Sequence, residues 1–235
     1  MALRLDAPRS LRLGERDVPL ELRRHPQARR ITLRLTPEGD GVRLVLPNRT
    51  PIHEAVAFAE RNSGWILKHL AKVPERIPFA DGAVIPLLGE NHVVTHDPAA
   101  RGGVIREPGL LRVSGQPEHL PRRLGDFLKR EARAEIGARA RDKAARVERR
   151  VGRLSLRDTR SRWGSCNSDG DLNFSWRLIL APEVVLDYVV AHEVAHLVHL
   201  NHSQRFWKLA GRLSEDMSGA KIWLRRNANE LWRYG

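Results

Sequence analysis

Residues Glu183 to Leu200 read EVVLDYVVAHEVAHLVHL, and inside them His192, Glu193 and His196 form an H-E-x-x-H motif. Valine and leucine surround the axis of the predicted helix, so it is read as buried. Burying such polar groups without compensation costs several kcal/mol on the order of transfer energies. A metal ion compensates them directly. Two histidines four apart emerge from one helix face about 6 Å apart along the axis. Both ring nitrogens can then meet one zinc ion at about 2.0 to 2.1 Å. Glu193, rotated by about 100°, flanks the site without ligating and is placed to act as general base.

A catalytic zinc takes three protein ligands and keeps one position open. His199 and His202 are the candidates for the third. On a continuing helix His199 lies near the face of His192 but about 10.5 Å along the axis, too far to share one ion. His202 reaches the ion if the helix ends near Leu200 and the chain reverses. Asn201 tolerates the left-handed conformation that ends a helix, and Ser203 can cap the next one. His202 is therefore preferred. Asp187 and Glu183 are weaker alternatives, because both lie N-terminal on the same helix.

The elements that must hold this site follow from periodicity and breakers. Val18 to Arg23, Arg30 to Leu35 and Val42 to Leu46 alternate apolar and charged residues, as half-buried antiparallel strands do. Thr36 to Gly41 reads as a turn. Thr50 and Pro51 open a helix, with Thr as cap, that runs to Leu70. Short strands are predicted at 83–88, 92–95, 104–106 and 110–113. His92 and His96 fall there without a carboxylate or third histidine near in sequence, so they are read as core or surface residues.

From Pro117 to about Arg150 a long basic helix is expected, with Gly125 and Gly137 as interruptions. Strands at 154–157 and 172–176 flank a turn-rich loop, 161–170. The chain is helical after Pro182, with a break at Gly219. The fold class expected is α+β: a β-rich region with one helix at 1–115, then a metal-binding catalytic domain at 116–235.

Charge and cysteine content narrow the chemistry. Cys166 is the single cysteine, so no intrachain disulfide and no cysteine-rich zinc site can form, and a semi-buried residue is the expected reading. Lysine and arginine number 41 against 28 acidic residues, a formal net charge of +13. Such a surplus favours an anionic partner, nucleic acid among them. Arginine spread along the whole chain also fits a merely solvated surface. No apolar run approaches the roughly 18 to 20 residues that span a bilayer. The start has no apolar signal core, so a cytoplasmic protein with no membrane partner is expected.

The runs SRWGSCNSDGDLNFSWRLILAP and DYVVAHEVAHLVHLNHSQRFW resemble the YgjP-like metallopeptidase family, relatives of the SprT-like zincins. The resemblance is strongest from about Arg153 to Trp207 and extends over most of the chain. It implies a zincin-type fold, His192, His196 and His202 as zinc ligands, and Glu193 as catalytic base. The ligand spacing equals that of metzincins, but those carry Gly where this chain has His199, and Met217 is weak support for a Met-turn. The loop Arg160 to Cys166 is the second signature. Gly164 lets backbone approach closely, and Arg162 suits an oxyanion or phosphate. Asp171 to Ser175 is read as the sheet edge beside the metal helix. Arg162, Trp163 and Asn173 are the expected substrate contacts, against the plainer reading of Trp163, Phe174 and Trp176 as core aromatics.

Three activities are expected in turn. The first is peptide-bond hydrolysis on a polypeptide substrate. The second is metal-dependent hydrolysis of a nucleoside triphosphate such as UTP, for which three histidines are an unusual magnesium site. The third is a nucleic-acid-associated role.

Overall fold

Alternation carries the first part of the chain. In the computed structural model, which describes residues 9–36, 39–71 and 75–235, strands β1 (Ser10–Leu13), β2 (Arg16–Arg24), β3 (Thr32–Leu35) and β4 (Val42–Leu46) form one sheet in the order β1-β2-β4-β3. Their inward residues, among them Leu11, Val18, Leu20, Val42, Leu44 and Leu46, are buried against Ala55, Ala59, Ile66 and Leu70. β1 is a strand the alternation missed. β2 and β4 pair in parallel, not antiparallel as expected, because β3 pairs on the other side of β4. The turn at Thr36 to Gly41 is closed by Thr36 N–H on the Gly41 carbonyl at 2.9 Å; its Pro37 and Glu38 lie outside the described residues.

The helix expected from Thr50 to Leu70 is two, α1 (Ile52–Arg61) and α2 (Ser63–Leu70). Asn62 divides them, and its Nδ2 donates to the Phe58 carbonyl at 2.7 Å. Such local competition with the helical ladder is what Asn offers. Pro51, not Thr50, stands at the cap position.

The chain divides into two compact units, Met1–Pro74 and Glu75–Gly235. The boundary expected near residue 115 thus falls inside the second unit. The reason is packing: the four strands β5 (Val84–Leu87), β6 (Glu90–Asp97), β7 (Val104–Glu107) and β8 (Leu110–Ser114) share one core with the later helices. Ile85, Leu87, Val94, Leu111 and Val113 meet Leu124, Leu128 and Ile136 of helix α3 (Leu120–Ala145) in that core. Gly125 and Gly137 do not interrupt α3. Gly125 instead lets Phe79 lie against the helix, within 3.6 Å of where a Cβ would stand.

A third sheet, ordered β10-β11-β9, joins β9 (Leu154–Arg157), β10 (Gly164–Cys166) and β11 (Leu172–Ser175). β10 falls in the stretch read as a loop; its three residues are too few to show a period. Helices α4 (Glu183–Ala195), α5 (Gln204–Leu213) and α6 (Met217–Asn227) complete the unit. The last break comes before Asp216, not at Gly219. Asp216 caps α6 by accepting the Gly219 N–H at 2.9 Å. The architecture is mixed α+β, with three small sheets and six α-helices among the described residues. No described helix is long and apolar enough to cross a membrane.

Candidate metal centre

α4 runs through the core, and ten of its residues from Val185 to Ala195 are buried. It stops at Ala195, five residues before the expected end at Leu200. The 197–199 N–H groups fold back onto the Val194 and Ala195 carbonyls in a tight turn. His196 therefore sits at the helix terminus, and His199 is off the helix altogether. The chain then reverses as predicted. Ser203 caps α5, its Oγ accepting the Phe206 N–H at 3.4 Å.

The reversal brings His202 back over α4. One ligand-capable atom from each of His192, His196 and His202 lies within 4.8 Å of the others. The Nε2 atoms of His192 and His202 are 3.1 Å apart. Two nitrogens on one tetrahedral zinc stand roughly 3.3 Å apart, so the spacing suits that ion. His196 Nδ1 is 3.0 Å from the His199 carbonyl. A carbonyl only accepts, so Nδ1 carries the proton and Nε2 keeps its lone pair. That is the arrangement of a metal-binding histidine fixed by a carbonyl behind it. His199 thus serves through its backbone, which no spacing argument on side chains reveals.

Burial favours the neutral form of two of the three rings. The His192 imidazole is pushed down to about 4, first by burial and then by His196, His202 and Lys221. His196 is lowered too, again chiefly by burial. Neutral imidazole is the form that ligates a cation. His192 Nδ1 is buried without a hydrogen-bond partner among the described residues, so its tautomer depends on what Nε2 meets.

An aromatic floor holds the three rings. The fully buried Phe206 ring lies 4.9, 4.5 and 4.7 Å from the rings of His192, His196 and His202. Trp207 stacks on His202 at 5.4 Å, and the Lys221 ammonium sits 3.8 Å over the Trp207 ring. Phe206 and Trp207 thus pack the histidine cluster itself.

Glu193 is only 6% exposed. Burial pushes its carboxyl up to about 7, against a smaller downward pull from Arg162. No cation forms an ion pair with it among the described residues. Gly164 of β10 faces it so closely that a Cβ there would stand 2.6 Å from Glu193 Cγ and Oε1. The expected close backbone approach at Gly164 is thus against the carboxylate. The strand beside α4 is β10, the outer strand of its sheet, and not 171–175, which lies in the middle as β11.

Arg162, Trp163 and Asn173 line one groove of about 530 Å³ with Gly164 and Ser165. Trp163 is also stacked on Trp232 at 5.5 Å and packs on the core, as its plainer reading expected.

The remaining candidates are accounted for elsewhere. Asp187 pairs with buried Lys143 at 2.6 Å and Glu183 with Arg139 at 2.7 Å. His92 meets the Glu90 carbonyl at 2.9 Å and accepts from Arg106, while His96 meets the Gly115 carbonyl at 2.6 Å. Burial, then Glu193 and Asp171, pushes the Cys166 thiol up to about 11, which rules it out as a thiolate nucleophile near neutral pH. Met217 opens α6 beside Gly211.

A family model described as YgjP-like, metallopeptidase domain, matches residues 29–227. No curated protein and no solved structure matches the chain.

Proposed function

The chain belongs to the YgjP-like metallopeptidase family, and from that premise we propose that it is a zinc-dependent peptidase with Glu193 as general base. The observation that carries the reading is the convergence of three histidine nitrogens within 4.8 Å of one another, next to a buried carboxylate with no cationic partner. His192, His196 and His202 would hold the ion through their free ring nitrogens. Zinc bound there supplies Lewis acidity, which brings water to a pKa near 7 and polarises a carbonyl.

The chain's own residues do the rest. A Glu193 oxygen takes a proton from the attacking water and passes it to the leaving amine. In the metal-free protein burial raises this carboxyl above its ordinary range, the direction that makes a carboxylate a better proton acceptor. Gly164 keeps β10 close enough to enclose that carboxylate. As an outer strand, β10 presents backbone groups against which an extended peptide can lie. Arg162, two residues before β10 and in the lining of the same groove, would neutralise the oxyanion of the attacked carbonyl. A zincin-like reading of the domain rests on this combination of helix and edge strand.

Elemental analysis of the purified protein, followed by a substrate panel, tests the proposal. About one zinc per chain and cleavage of an unfolded polypeptide are expected, with both lost in His192→Ala. Stoichiometric metal with pyrophosphate release from UTP and no peptide cleavage would overturn it.

A further inference from the structure

The turn between the second and third histidines also walls a second groove, of about 390 Å³. Val147, Val198 and Leu209 give it an aliphatic surface. Around that surface stand Arg205, Lys208 and Arg212, with Arg146 and His199. No carboxylate lines it. The groove over Lys143 differs: Glu135, Asp142, Asp187 and Glu215 share its walls with the basic residues there.

Arg205, Lys208 and Arg212 repeat at three and four along α5, on the face away from buried Phe206, Ala210 and Leu213. Cations at that spacing repel one another. All three are exposed, and none has an ion pair among the described residues. Arg146 alone is engaged, with Asp142 at 2.6 Å. The sequence places three unneutralised cations around a small apolar hollow, where any other arrangement of α5 charges would have served solubility as well.

We propose that this groove is an exosite for the polypeptide substrate, taking an acidic segment whose carboxylates flank one aliphatic side chain. The aliphatic side chain packs on Val147, Val198 and Leu209. Its neighbouring carboxylates meet Arg205, Lys208 and Arg212, two of which offer the planar fork that suits a carboxylate. The lining includes no Phe, Tyr or Trp, the larger rings on which single-stranded nucleic acid stacks, and its apolar surface is aliphatic. Val198 and His199 lie two and three residues after His196, so at most about 11 Å of chain separates the groove wall from a metal-cluster residue. A chain held here is therefore held beside the site. The inference rests on the peptidase reading for its substrate class, but its test reads binding alone.

The test uses full-length, zinc-loaded protein carrying Glu193→Gln and a fluorescein-labelled ten-residue peptide with glutamates flanking a leucine. Polarisation measures affinity, and mass spectrometry verifies that the peptide stays intact. The acidic peptide should bind at least tenfold tighter than versions with serine for glutamate or alanine for leucine. R205E/K208E/R212E should weaken it at least tenfold. R12E/R16E/R34E carries the same charge change in the first unit and should weaken it less than twofold. R205A/K208A/R212A replaces the reversal if that variant does not fold. Equal weakening by the two charge-matched triples would overturn the exosite, as would equal binding of the serine peptide. Tighter binding of a single-stranded oligonucleotide through the same three residues would overturn it too. Failure here with retained polypeptide cleavage removes the exosite only. Groove binding without any cleavage by the unsubstituted protein removes the peptidase reading only.

Discussion

Asp187 and Glu193 lie six residues apart on α4, and both are buried carboxylates, 2% and 6% exposed. Their surroundings differ completely. Asp187 meets the Lys143 ammonium at 2.6 Å and the Glu215 N–H at 3.1 Å, and Lys143 also donates to the Leu213 carbonyl at 2.6 Å. Every polar atom of that pair is used in tying α3 and α4 to the end of α5. Among the described residues Glu193 has no such partner, only the pull of Arg162 and the backbone of Gly164 pressed against it. A paired buried charge organises the core; a buried carboxyl without an ion pair is kept in spite of its cost, which the proposed general-base role of Glu193 would explain.

Four experiments sharpen this contrast. Glu193→Gln should lower turnover about 10²- to 10⁴-fold, the range of a lost general base, while elemental analysis finds zinc unchanged. Retained turnover would make Glu193 one more structural carboxylate. Lys143→Ala leaves Asp187 buried and uncompensated and should cost about 3–5 kcal/mol in urea denaturation. The metal content of the folded fraction should not change. A loss below roughly 1 kcal/mol would show that Asp187 is not held as the contacts imply.

The third is pH. In the metal-free protein Glu193 is raised from 4.5 to about 7. A carboxyl with a raised folded-state pKa gives stability that is complete below the unfolded value and is lost as pH rises through the folded one. Between pH 4.5 and 7 the loss should amount to about 3 kcal/mol. His192, lowered to about 4, acts in the opposite sense, losing stability as pH falls below its unfolded value of 6.5. The difference between unsubstituted protein and Glu193→Gln, both metal-free, isolates the carboxyl. Parallel stability curves for the two would refute the burial argument. Last, Gly164→Ala forces a Cβ onto Glu193 and should cost about 1–3 kcal/mol, the range of overpacking. It should also lower kcat through displacement of the carboxylate, with zinc retained. A neutral substitution would mean that β10 can step back.

Reading from sequence succeeded wherever a local rule had no competitor. The H-E-x-x-H spacing fixes two rings on one helical face. Ser203 signals the cap after the reversal that returns His202, although Asn201 does not take the left-handed conformation expected of it and α4 ends earlier, at Ala195; the alternation of β4 and the 3.6 period of α3 declare their buried faces. It failed where the decision lay with distant residues. Asn62 splits a helix whose apolar period runs on uninterrupted. Three residues of β10 become a strand only because β11 is there to pair with them. β2 and β4 run parallel because β3 occupies the antiparallel place, and alternation looks the same either way.

The motif, the chain reversal, the absence of disulfide chemistry and the α+β class were therefore determined by the sequence alone, since each depends on residues within a few positions of one another or on composition. Only the tertiary structure decided where the units divide and which strand stands against α4. It also decided that the His199 carbonyl orients His196, that Phe206 floors three imidazoles, and that Lys143 answers Asp187 while no ion pair answers Glu193 among the described residues. Each of these joins groups from different elements. Burial and charge compensation are properties of the space between elements, and no period along the chain encodes them.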